Sequence, residues 1–316
     1  MTLLFQSDRF VEHETGAGHP ECPARYRAVR DHVPFQQLSS HCQTPHIKPL
    51  TLSQLQLVHD ADVGEYVQAA CKQGGGRIEA DTVVSPASFE VGLLAAGACC
   101  QAVEAVLKGT DQNAFCLVRP PGHHATPSLS MGFCLFNNIA LAARHALKCG
   151  ANRVMIVDWD VHHGNGTQDA FYDDEQVTFV SLHRSPFYPG TGLANETGTG
   201  KGLGTTFNVP LRFGISQADY HAALESVLHT ALSQNKPDVI LISAGFDAHA
   251  EDPIGSLGLD VADFSRMTVL LKEAAKTHCQ GRLVSCLEGG YNLERLPECV
   301  TAHLQVLIDG NSTQTP

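Results

Sequence analysis

None of the 11 cysteines falls in a C-x-x-C spacing, so the common closed zinc knuckle is excluded and the thiols lie scattered. No apolar run approaches the roughly 20 residues that span a bilayer. The opening Met1-Thr2-Leu3-Leu4-Phe5-Gln6-Ser7-Asp8 is too short an apolar stretch for a secretory signal. Reduced thiols in a cytoplasmic protein with no membrane partner are the expectation. Cationic charge is also scarce, with 21 Lys and Arg against 33 Asp and Glu and a net charge of −12. That balance argues against a direct nucleic-acid partner. No linker-like stretch, charge block, internal repeat or coiled-coil heptad interrupts the chain. One domain over residues 1–310 is expected, with a disordered tail over 311–316 and an oligomeric state that the sequence leaves open. Gly74-Gly75-Gly76 lacks the strand-to-helix setting of a phosphate loop and reads as a break.

What is present is an ordinary core-forming share of hydrophobic residues, 43%, arranged in an alternating rhythm. After two short helices within 52–71, Ser85 is placed to cap a long apolar helix over 87–108. Strands are predicted at 114–118, 153–157, 177–182, 206–210, 239–243 and 283–287. Helices at 138–149, 168–172, 217–233, 261–278 and up to about 308 separate or follow them. Such alternation implies an α/β protein with a largely parallel sheet between layers of helices. Ligands of such sheets bind at the carboxyl ends of the strands. The unusual polar residues gather at that edge, in Arg119-Pro120-Pro121-Gly122-His123-His124, Asp158-Trp159-Asp160-Val161-His162-His163, His183-Arg184, Asp247-Ala248-His249 and Glu288-Gly289-Gly290-Tyr291.

If the strand ending at Val157 runs on, Asp158, Asp160 and His162 alternate onto one face and present carboxylate and imidazole to one metal ion. Asp247, at the end of another strand, is the natural third ligand, although a lone Asp there is more often a helix cap. His123 and His124 suit proton transfer to and from a metal-bound water; buried neutral histidines are the bland alternative. Asp158 and Asn165 would orient them, and Tyr291 on its Gly-Gly turn would donate to a developing oxyanion. The residues leave open which histidine is the base.

These segments, with Gly132-Phe133-Cys134-Leu135-Phe136-Asn137-Asn138 and Tyr188-Pro189-Gly190-Thr191-Gly192, resemble the signature series of the zinc-dependent histone deacetylase family. The likeness runs from His19 to Tyr291 and includes bacterial deacetylase-like and acetylpolyamine amidohydrolases. The resemblance implies an arginase/deacetylase-like three-layer α/β/α fold and hydrolysis of an N-acyl amide, typically acetyl-lysine in a peptide or protein. It implies one catalytic Zn²⁺ on Asp160, His162 and Asp247. It also implies structural K⁺ at Asp158, Asp160, His162, Ser181 and Leu182, and at Phe171, Asp174 and Val177. Phe133 and Tyr188 resemble the walls of a lysine tunnel, Gly132 and Gly290 the space-giving positions beside it, and Arg25 the arginine of an inner product channel. Asn165 is similar to the class II and bacterial branch, and His163 is expected to be hydrogen-bonded beneath the site.

Three other readings remain beside acyl-lysine hydrolysis. Polyamine-selective relatives carry an acid at the tunnel mouth where this chain aligns Ile254, although Glu251, Asp252 or Asp81 could line the rim. A two-manganese ureohydrolase would need further carboxylates where this chain has Ala248-His249. A non-catalytic acyl-lysine binder would not require the full set of polar groups.

Overall fold

Short, mostly apolar runs form the strands of the main sheet in the computed structural model, which describes residues 2–309. The tail expected to be disordered lies outside the described residues. The strands are β1 (Thr2–Phe5), β2 (Gly76–Arg77), β3 (Val83–Val84), β4 (Asn113–Cys116), β5 (Val154–Asp158), β6 (Val177–Arg184), β7 (Thr206–Leu211), β8 (Val239–Ala244) and β9 (Leu283–Leu287). Seven of them build one sheet in the order β1-β4-β9-β8-β5-β6-β7. Every pairing in that sheet is parallel; β2 and β3 form a separate antiparallel pair. The central strands β4, β9, β8 and β5 are buried at every residue, as a sheet covered on both faces requires.

The helices are α1 (Pro23–Arg30), α2 (Val33–Ser39), α3 (Leu52–Leu55), α4 (Ala61–Lys72), α5 (Ser88–Leu107), α6 (Asn138–Lys148), α7 (Asn165–Phe171), α8 (Gln217–Gln234), α9 (Val261–Cys279) and α10 (Arg295–Ile308). One layer is built on α5 packed against α6, the other on α8, α9, α10 and α1. The expected three-layer α/β/α architecture results.

Four details differ from the sequence reading. First, β1 is a strand where only a short apolar start was read, because its partner β4 lies more than 100 residues away and no local pattern announces the pairing Leu3↔Ala114. Second, α5 begins after Ala87, and Ser85 does not cap it; the Ser85 hydroxyl instead accepts from Glu14 N at 3.2 Å. Third, α5 is long and apolar enough by composition to cross a membrane, contrary to the expectation, with 72% of the relevant window buried inside the fold. Its apolar character serves packing: a Cβ on Gly97 would lie 2.1 Å from the Lys48 carbonyl oxygen. Fourth, β5 stops at Asp158, so loop geometry, not strand alternation, brings Asp160 and His162 into place.

Candidate active site

Adjacent strands β4, β9, β8 and β5 deliver their carboxyl ends to one place. Asp158 closes β5, and the turn beyond it is fixed by carboxylates that accept backbone N–H groups. Asp158 Oδ1 accepts from Asp160 N at 3.1 Å, Asp160 Oδ1 from His162 N at 2.9 Å, Asp160 Oδ2 from Gly289 N at 2.8 Å and Asp247 Oδ1 from Val161 N at 2.9 Å. The result places His162 Nδ1 3.0 Å from Asp160 Oδ1 and 3.1 Å from Asp247 Oδ2. One ligand atom from each of Asp160, His162 and Asp247 lies within 4.8 Å of the others, all buried. Two glycines make the approach feasible. A Cβ on Gly245 would stand 2.1 Å from Asp160 Oδ2, and one on Gly289 would stand 2.2 Å from Asp247 Oδ2.

This cluster fits a divalent cation. Two carboxylates wholly removed from water require compensating positive charge. Burial, together with the charge of Asp160, pushes the Asp247 carboxyl up to about 7. Two carboxylate oxygens and an imidazole nitrogen are a three-ligand donor set of the catalytic kind, in which water or substrate completes the coordination.

His123 and His124 lie beside it with ring centroids 4.0 Å apart, and they have different supports. His123 Nδ1 donates to Asp158 Oδ2 at 2.9 Å, and His124 Nδ1 donates to the neutral Asn165 Oδ1 at 2.7 Å. Burial opposes charge on both. For His123, the Asp158 and Asp160 carboxylates overcome it and hold the pKa well above the ordinary value. For His124, burial is reinforced by His123 and His162, and the pKa falls well below it. A cation in the cluster would lower both.

Tyr291 follows Gly290, whose φ of +118° is open to glycine and strained for other residues. The Asp252 carboxylate holds this turn, accepting Tyr291 N at 2.7 Å on one oxygen and Ile254 N and Gly255 N at 2.9 Å on the other. Burial and the charge of Asp247 keep the Tyr291 hydroxyl well above its usual pKa, hence protonated. Behind it Arg25, with its guanidinium 4.9 Å from the ring, donates to the carbonyls of Gly290 and Glu288, both at 2.6 Å.

The expected tunnel residues are partly gathered here. The Phe133 ring meets Tyr291 edge-on at 5.9 Å, and the Tyr188 ring meets His124 at 5.2 Å. Phe133 holds φ at +67°, a strained value for a non-glycine residue, fixed by Thr82 Oγ1 on its N–H at 3.1 Å. A Cβ on Gly132 would meet His124 Cδ2 at 2.5 Å, so that glycine borders the site. Gly290 differs: its missing side chain would meet Leu296 and Phe246, inside the fold. His163 is bonded on both sides, to Thr191 Oγ1 at 2.8 Å and Gln168 Oε1 at 3.1 Å.

Of the two cation sets, Asp158 and Ser181 are register partners across β5 and β6, next to Asp160, His162 and Leu182, all buried. At Phe171, Asp174 and Val177 the Arg144 guanidinium already pairs with Asp174, donates to Ala170 O at 3.0 Å and covers the Phe171 ring at 4.5 Å.

Sequence reasoning gave no role to Glu288, Glu21 or Phe187. Glu288 Oε2 accepts from Gly122 N at 2.6 Å and His123 N at 3.1 Å, fixing the histidine turn. Glu21 joins Arg25 to Arg119 in a fully buried ion group. Phe187 stacks on the His162 ring at 5.1 Å and 16°. An acid at a strand's carboxyl end was the available signal for Glu288; nothing local marks the other two.

The histone deacetylase domain family matches residues 19–307. A probable deacetylase of Archaeoglobus fulgidus is 39% identical over 296 residues, 93% of this chain and 82% of that protein. A histone deacetylase-like amidohydrolase of Pseudomonas aeruginosa is 38% identical over 300 residues, covering 94% and 79%. The crystal structure of the HDA15 HD domain superposes with a TM-score of 0.92 at 38% identity, covering 97% of this chain and 88% of that one. The chain belongs to the histone deacetylase family and is a metal-dependent hydrolase that removes acyl groups from N-acyl amines.

Proposed function

We propose that the metal is a single Zn²⁺ on Asp160, His162 and Asp247, and that the substrate is an acyl-lysine side chain, most often acetylated. The observation that carries this reading is the convergence of that ligand cluster with His124 and Tyr291 beside the rings of Phe133 and Tyr188. When bound, zinc would supply Lewis acidity to the acyl carbonyl and lower the pKa of a water.

The protein's own groups do the rest. His124, held neutral and oriented by Asn165, accepts the proton of the attacking water and returns it to the leaving amine. His123, held by its Nδ1–H bond to the Asp158 carboxylate, stands beside His124 and supports the developing charge through that pair. The Tyr291 hydroxyl donates a hydrogen bond to that oxyanion from a turn fixed by Asp252. Phe133 and Tyr188 are assigned to enclose the apolar lysine stem, and Ile254 to the mouth. Arg25 is assigned to the product side, through its contact with the Tyr291 ring and the Gly290 carbonyl. Structural K⁺ is assigned to the Asp158–Ser181 corner; Arg144 already supplies positive charge at the Asp174 corner.

The polyamine alternative is disfavoured by the commitments of the rim acids. Asp252 accepts three backbone N–H groups. Glu251 pairs with Arg295 at 3.0 Å, and Asp81 accepts Gly132 N at 3.1 Å. A two-manganese reading needs a second ligand group, and among the described residues only Asp160, His162 and Asp247 form one. Eleven free cysteines support a reducing, cytoplasmic setting for this one catalytic domain.

Steady-state assays with acetyl-lysine peptide, longer acyl-lysine peptides and acetylated polyamines, with and without chelator and zinc restoration, test the proposal. Chelator-sensitive turnover of the acetyl-lysine peptide, with one zinc per chain, is expected. Equal rates on acetylated polyamines, or two manganese ions per chain, would overturn it.

A further inference from the structure

Arg184, the last residue of β6, is placed unusually for an arginine at the edge of a catalytic centre. Its guanidinium carbon lies 4.2 Å from the centroid of the Phe187 ring and 4.4 Å from that of Phe213. The planar cation is thus shared by two aromatic rings, a contact that suits guanidinium and not the compact ammonium of lysine. Phe213 is 66% exposed, an unusual position for a large aromatic side chain, and covering this cation gives it a role. Phe187 in turn is stacked on the imidazole of His162, nearly parallel to it at 16°.

The same arginine reaches a second segment. Its Nη1 donates to Gly255 O at 3.1 Å. That glycine is pressed against the Asp247 backbone, since a Cβ there would lie 2.3 Å from Asp247 O. Its neighbour Ser256 sits at φ +82°, strained for a non-glycine residue, and donates its N–H to Asp247 O at 2.7 Å. The Arg184 backbone N–H meanwhile donates to Val161 O, one residue before His162, at 2.8 Å.

We propose that Arg184 is a positioning residue for the metal centre, clamped between Phe187 and Phe213 so that it holds Phe187 flat on His162 and fastens the strained turn behind Asp247. The clamp joins the segments that carry two of the three proposed ligands, and it acts through Phe187 and Gly255 without touching substrate. Removing it frees Phe187 to rotate and lets the 252–256 turn relax, so the imidazole and the Asp247 carboxylate lose their mutual orientation. Supports of this kind around metal ligands are worth roughly tenfold or more in metal affinity. The inference rests on the zinc assignment above.

The test compares Arg184→Met, Arg184→Lys and Phe213→Leu with the unsubstituted protein. Methionine keeps an apolar stem of similar length but removes both the planar cation and the donor. Zinc dissociation constants are measured on metal-stripped protein by competition with a chromophoric chelator. Then kcat and KM on an acetyl-lysine peptide are measured at saturating zinc, together with the thermal midpoint.

Arg184→Met is expected to weaken zinc binding roughly tenfold and to lower kcat by a similar factor, with KM changed less than about twofold. Arg184→Lys recovers part of the loss, and Phe213→Leu falls between. Zinc affinity and kcat within twofold of the unsubstituted protein, whatever the thermal midpoint does, would overturn the inference. So would a loss confined to KM. If Arg184→Met does not fold, Phe213→Leu decides the matter, since its exposed position spares the core; unchanged zinc affinity in that variant then overturns the clamp. An unsubstituted protein that binds no zinc would instead overturn the metal assignment, and this inference with it.

Discussion

At the scale of single residues, the division between His123 and His124 depends on one atom type. Asn165 offers His124 a neutral oxygen, whereas Asp158 offers His123 a charged one. Replacing Asn165 by Asp places a carboxylate 2.7 Å from His124 Nδ1 and raises the pKa of that ring. If neutral His124 is the base, the acid limb of kcat/KM moves to higher pH, by about one unit or more. A pH–rate profile of Asn165→Asp checks it, and an unmoved or downshifted limb contradicts it. Asp252 is the second sensitive residue. Asp252→Ala leaves the backbone N–H groups of Ile254, Gly255 and Tyr291 without their acceptor, so kcat is expected to fall at least tenfold through misplacement of Tyr291. Steady-state kinetics at saturating metal, with metal content determined in parallel, separate that effect from metal loss.

At the scale of elements, helix α5 shows why an apolar composition alone is ambiguous. Its residues would suit a bilayer, yet its surface is shaped for α6, β4 and the 48–50 segment. Gly97 is the tightest point of that fit. Gly97→Ala gains helix propensity but drives a methyl group to within 2.1 Å of the Lys48 carbonyl oxygen, where neither backbone can yield cheaply. A net loss of about 1 to 3 kcal/mol is expected, read as a lower midpoint in urea denaturation. An equal or higher midpoint would mean that the 48–50 segment can move aside.

At the scale of the whole molecule, burial disfavours the charged form of several histidines. His59 donates from Nδ1 to Thr126 O and accepts Asn137 N on Nε2, and burial lowers its pKa to about 4. Burial likewise lowers His183 to about 4, and His163 and His303 to about 3. The unfolded chain protonates these side chains near pH 6.5 while the native state resists, so the unfolded state binds more protons below that point. Their contribution is therefore fully present above pH 6.5 and is lost as pH falls toward 4, at up to about 1.4 kcal/mol per unit for each ring. A thermal midpoint that declines steeply from pH 6.5 to 4 is expected, and one that stays flat would show that these rings accept protons within the fold. In His59→Gln the slope should be shallower.

The periodicity of the chain determined the layered α/β class, and the clustering of polar residues after apolar runs determined which edge of the sheet is chemical. Both signals are local, because a strand buried on both faces must be uniformly apolar and its carboxyl end is where polarity can resume. The cluster of Asp160, His162 and Asp247 was legible for that reason. What only the tertiary structure decided are relations between distant segments: β1 joining β4, Asp252 holding Tyr291, Glu288 fixing the His123 turn, and Arg184 between two rings. Each couples residues through packing, strand pairing or a few hydrogen bonds. Such contacts leave no period or spacing in the chain, because the partner is chosen by the fold and not by its neighbours in sequence.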